Sequence, residues 1–93
     1  MASLRDLKKD IDFLGGQVIV DCLIYAQTSE NPDLDQVQEI VNEALVLVAE
    51  LRVQANHPDG KDNPKMVKAY YKALVIEMYE KCNALYDRLN ALA

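Results

Sequence analysis

Apolar residues recur three and four positions apart in three long stretches, separated by short segments rich in Asn, Pro, Asp and Gly. The first stretch carries Leu4, Leu7, Ile11, Leu14, Val18, Cys22 and Tyr25. The second carries Leu34, Val37, Val41, Ala44, Val48, Leu51 and Ala55. The third carries Val67, Tyr71, Leu74, Met78, Cys82, Leu85, Leu89 and Leu92, with one extra-residue step at Cys82 that disturbs a strict heptad. Turning 100° per residue brings each series onto one face of an α-helix. The spacing predicts helices over about 3–28, 33–56 and 63–92.

The punctuation agrees with the periodicity. Ser3 with Asp6 three residues on forms a weak capping box for the first helix. Thr28-Ser29-Glu30-Asn31-Pro32 ends it, because the residue before proline is pushed out of helical geometry. Asn31 or Asp33 is expected to cap the second helix, with Pro32 in its first turn, where a missing N–H leaves no partner unmet. Asn56 to Asp62 reads as a turn, and Asn63-Pro64 as the cap and first position of the third helix.

Helices of roughly 24 to 30 residues span about 35 to 45 Å each, and short connections make them antiparallel neighbours. The fold predicted is all-α, an up-down-up three-helix bundle formed as a single domain over 1–93. In that topology Cys22 and Cys82, each 19 residues past its helix cap, stand at one height on parallel helices. Gly15-Gly16 lies inside the first helix, so either another helix approaches closely there or the helix breaks. Val18-Ile19-Val20 is β-branched, but nothing else in the chain offers a strand a partner.

Each helix also carries apolar residues on its back. Phe13, Val20 and Ile24 lie opposite the first seam, Val46 and Val53 with Ala49 opposite the second, and Ile76 opposite the third. A helix apolar all round is normally buried on both sides. These positions predict that the bundle self-associates, as a homodimer, through the outer faces of helices 1 and 2. Tyr70, Tyr71, Tyr79 and Tyr86 fall on the third helix. They are expected at the core edge with hydroxyls toward water, or as a surface for another protein.

Composition narrows the function. A chain of 93 residues holds one core, and 51% apolar with 27% charged residues excludes disorder. The net charge of −5 disfavours nucleic acid and anionic membrane, and no apolar run reaches the length of a membrane span. Met1 to Asp6 lacks the layout of a signal peptide, so the cytoplasm is the expected location. With the topology applied, residues 1–15 and 45–77 hold eight basic and seven acidic groups, and residues 16–44 and 78–93 hold two and eight. One end of the rod is therefore strongly acidic. Lys65, Lys68 and Lys72, with Lys8 and Lys9, form a flank able to receive an acidic partner.

The chemistry-bearing residues are few. Cys22 and Cys82 have no Cys-x-x-Cys partner and no adjacent His, so both read as reduced core residues without metal. Asp21, within Val18 to Ile24, is the acid most exposed to burial, with a rim position near Gln17 and Thr28 as the simple expectation. No nucleophile triad, phosphate loop or calcium loop is present in the sequence, and no catalytic residue, cofactor site or metal site is assigned. Glu77 and Glu80, with Glu39 and Glu43 one turn apart on helix 2, resemble the carboxylates of all-α nucleotide pyrophosphohydrolases. That resemblance implies a magnesium-dependent hydrolase; the wheel instead puts Glu39, Glu43, Glu50, Glu80 and Asp87 on outer polar faces. His57-Pro58-Asp59 resembles the tripeptide of J-domain co-chaperones, which also sits in a loop between antiparallel helices. It implies a co-chaperone role for those three residues, though the helix before them carries Glu39, Glu43 and Glu50 where that family is basic. The leading expectation is a non-enzymatic helical interaction or scaffolding module, with the hydrolase as the second reading.

Overall fold

The computed structural model describes residues 4–57 and 63–92. Three helices follow one another: α1 (Leu4–Thr28), α2 (Leu34–Asn56) and α3 (Pro64–Leu92). Among the described residues there is no strand, and Val18-Ile19-Val20 is helical. The helices form an all-α three-helix bundle, a rod with extents of 53 × 18 × 18 Å.

Local chemistry sets the helix ends. Asp33 caps α2, its Oδ1 accepting from the Gln36 N–H at 3.1 Å. The cap is therefore Asp33, and Pro32 lies ahead of it instead of inside the first turn as the sequence suggested. Asn63 caps α3 by accepting from the Lys65 and Met66 N–H groups at 3.1 and 3.3 Å, with Pro64 first in the helix as expected. The proposed Ser3 cap and the turn over residues 58–62 lie outside the described residues.

Two tyrosine hydroxyls fix the topology. Tyr25, near the end of α1, donates to the Leu92 carbonyl at the end of α3 at 3.2 Å and accepts from the Asp33 N–H at 3.2 Å. Tyr71, early in α3, donates to the Ala55 carbonyl at the end of α2 at 2.9 Å. Hence α1 and α3 are parallel and α2 runs against both. Each bond also satisfies a carbonyl at a helix C-terminus, where no intrahelical donor remains. Cys22 and Cys82 both bear electrostatically on the Tyr86 hydroxyl, in agreement with their standing at similar height on parallel helices.

The core is a single stack of Leu7, Ile11, Val18 and Cys22 from α1, Val37, Ile40, Ala44, Leu47, Leu51 and Ala55 from α2, and Leu74, Met78, Cys82, Leu85 and Leu89 from α3. The inward stripe of α2 is wider than the sequence seam. Ile40 and Leu47 are buried, whereas Val41 and Val48 are only partly so. A helix with neighbours on both sides buries an arc that reaches toward each, and the 3–4 series covers the centre of that arc and its edge toward α1 but not its edge toward α3. Leu4 and Leu34, the first members of their seams, are exposed.

Helix 1 does not break at its glycines. It is continuous, and Gly15 faces α2 so closely that an added Cβ would overlap Val48 Cγ2. Gly16 faces the other way, with nothing within 4 Å of the same construction. The two glycines therefore answer oppositely to alanine. Gly15→Ala is expected to destabilise by about 1–3 kcal/mol through overpacking against a side chain confined to one rotamer. Gly16→Ala is expected to stabilise the isolated chain by about 0.5–1 kcal/mol through helix propensity. Urea unfolding of the two variants checks both signs.

Candidate association surface

The six residues expected at an association face are all on the surface, between 47% and 68% exposed. The structure divides them among three places. Phe13, Val20 and Ile24 share the back of α1, joined by Leu23, which is 53% exposed and was not in the original set. Val46 stands on the side of α2 that turns toward α3, and Val53 is exposed on the outer face of α2. Ile76 is on the back of α3, flanked by Lys72, Glu80 and Asp87. Leu45 on α2 is likewise exposed and was missed. Its signal was present: it lies next to Ala49 on the wheel, beside the outer edge of α1.

Val46 lines a groove of about 420 Å³ between α2 and α3, with Leu47, Ala84 and Leu85 as floor and Glu43, Glu50, Lys81 and Arg88 on its rim. A three-helix rod sets that groove across the bundle from α1. The chain thus presents two apolar surfaces on different sides, an outer α1 ridge and an α2/α3 groove.

Charged residues cross between helices without entering the core, and no polar or charged side chain is buried among the described residues. Arg88 of α3 reaches Glu43 and, at 3.6 Å, Glu39 on α2. Arg52 of α2 meets Asp12 of α1 at 2.6 Å. Lys81 pairs with Glu77 at 2.7 Å within α3, and that carboxylate raises the Lys81 ammonium above its usual range. Exposed pairs of this kind contribute about 0–1 kcal/mol each, so they set register more than stability.

These pairs decide where the candidate metal carboxylates go. Glu39 and Glu43 are gathered by Arg88, and Glu77 turns to Lys81. No group of three or more His, Cys, Asp or Glu able to hold a metal ion occurs among the described residues. His57 ends α2, its backbone N–H donating to the Gln54 carbonyl at 3.3 Å; Pro58 and Asp59 lie outside the described residues. Lys8 and Lys9 on α1 share one end of the rod with Lys65, Lys68 and Lys72 on α3, and all but Lys8 are exposed.

The α1/α3 seam holds the only strongly perturbed proton among the described groups. Burial, and then the Asp21 carboxylate beside it, push the Tyr86 hydroxyl up to about 12. Asp21 also accepts from Gln17 Nε2 at 3.3 Å, in the rim position expected for it. Burial raises the Cys22 thiol, with the Asp21 charge adding to it, and burial alone raises Cys82. Both thiols are free and buried. A thiol held protonated is a poor nucleophile, and both pack within the core of the bundle. Tyr70, Tyr71 and Tyr86 are half-buried at the core edge, and Tyr79 is exposed.

No described helix is long and apolar enough to cross a membrane. No protein family, curated protein or solved structure matches the chain.

The raised Tyr86 value carries a pH prediction. The folded chain holds this proton more tightly than the unfolded one, whose phenol titrates near 10.0. The stabilisation is complete below pH 10 and is lost as pH rises through about 12. The buried thiols act in the same direction. Denaturant unfolding across pH 9–12 should show stability falling with pH, less steeply in Tyr86→Phe. Equal slopes in the two proteins would contradict the assignment.

Proposed function

We propose that the chain is a non-enzymatic helical interaction module that self-associates through the outer apolar faces of α1 and α2 and, so assembled, holds another protein. One observation supports this most. Phe13, Val20, Leu23, Ile24, Leu45, Val46 and Val53 are each about half exposed or more on a rod whose core is already complete. Burying such side chains contributes about 25 cal/mol for each Å² of apolar surface removed from water. They cost an isolated chain solubility and give it nothing. Contiguous apolar area beyond a few hundred Å² on a small protein marks an association surface.

The supporting arrangement is one of placement. Basic groups concentrate in one half of the chain, which leaves the other half net acidic, while the exposed apolar residues lie along the backs of α1 and α2, available for lateral contact. The half-exposed Tyr79 and the lysine flank at Lys65, Lys68 and Lys72 are then a surface for an acidic segment of a second protein. The expected location is the cytoplasm.

Sedimentation of the whole chain tests the reading. At micromolar concentration the protein is expected to run at about twice 10.5 kDa. Val20→Glu and Leu23→Glu should each shift it toward the single-chain mass. Because both side chains are exposed, these changes should alter the stability of the protomer by only about 0.5 kcal/mol. A wild-type protein that sediments as one chain at all concentrations would overturn the proposal.

A further inference from the structure

The two glycines of α1 differ in what the fold asks of them. Gly15 is required by Val48, whereas a Cβ at Gly16 would meet nothing within 4 Å. Glycine in a helix interior is costly relative to alanine, and no contact within the protomer offsets that cost at Gly16. Its neighbours on the same face are Lys9, Phe13, Val20, Leu23 and Gln27. With Gly16 they follow one another at alternating steps of four and three, the spacing of a seam that meets another helix. This seam lies behind the core residues Ile11, Val18 and Cys22, and its apolar members are exposed. The back of α1 therefore has the form of a helix-pairing surface with a notch near its middle.

We infer that the occupant of this surface is α1 of a second copy of the chain, running antiparallel, with each protomer's Val20 seated over the other's Gly16. The inference rests on the self-association proposed above and adds which helices meet and in which direction. Reversing the seam about Val18 sets Gly16 opposite Val20, Phe13 opposite Leu23, and Lys9 opposite Gln27. A parallel pairing would instead set Gly16 against Gly16, leaving a void, and Lys9 against Lys9. Steric fit and charge at the seam choose the same direction.

Charge over the whole rod agrees. Among the described residues, the half containing residues 16–44 and 78–92 holds two basic and eight acidic groups, and the other half seven basic and five acidic. Parallel copies would lay one acidic half on the other. Antiparallel copies lay each acidic half beside the partner's lysine-bearing half, including Arg5, Lys8 and Lys9.

Dipolar spectroscopy on the full chain tests this, with a spin label at Gln17→Cys or at Glu30→Cys. Cys22 and Cys82 are buried and remain unlabelled. The antiparallel pair places the Gln17→Cys labels within about 20 Å of each other and the Glu30→Cys labels, just past the end of α1 at Thr28, roughly 30 Å or more apart, from 1.5 Å per residue between Val18 and Thr28 in each copy. Short distances at both sites would show a parallel pair and overturn the inference while self-association stands. Two-chain or larger mass with long distances at both sites would show association through another face, such as an α1 ridge in the α2/α3 groove of the next copy, and would overturn it too. Single-chain mass with no coupling would overturn the inference and the proposed function together. Independently, Gly16→Leu is expected to weaken association at least ten-fold with unchanged helix content, since the space around Gly16 is open. Unweakened association in that variant would contradict the Gly16–Val20 contact.

Discussion

Three helices side by side can each hide only the stripe that faces the other two. A rod 18 Å across has one layer of core, and any apolar residue outside the inward arc is left against water. This constraint governs the whole molecule. It explains why the core is a single stack from Leu7 to Leu89, why polar side chains stay out of it, and why the residues on the back of α1 and α2 remain uncovered in one chain. The close packing of α1 on α2 through Gly15 tightens the rod and leaves still less room for further apolar side chains.

The ends and seams of the rod are held by different forces. Tyr25 and Tyr71 donate to carbonyls at the ends of α3 and α2, where neither helix supplies a donor of its own. Between them the α1/α3 joint encloses Cys22, Cys82 and Tyr86, whose protons burial retains. The α2/α3 side is laced instead by Arg88 on Glu39 and Glu43. That pairing engages Glu39 and Glu43 at the surface of the bundle.

Much of this was legible in the sequence, because helix existence depends on local period and helix ends on local residue chemistry. Asn63-Pro64 and Asp33 are caps wherever they precede an apolar series. What was not legible depends on which neighbour a side chain meets. Ile40 and Leu47 were passed over because the spacing of α2 does not say that α3 lies on their side. Gly15 falls on the core seam between Ile11 and Val18 and Gly16 on the back, but only the packing shows that Val48 is what Gly15 meets. Arg88 and Glu43 stand 45 residues apart, and no local pattern joins them. The outer residues were recognisable as surplus apolar positions, but their division between an α1 ridge and an α2/α3 groove follows from the angular placement of each helix in the rod.

The central claim is that a second copy covers what one rod leaves bare, and mass action gives it a direct readout. Anything that binds the folded chain and not the unfolded one raises its stability with concentration. Thermal unfolding of the wild-type chain, followed by circular dichroism over a hundred-fold range of protein concentration, should show a melting temperature that climbs with concentration. A melting temperature independent of concentration would contradict the account.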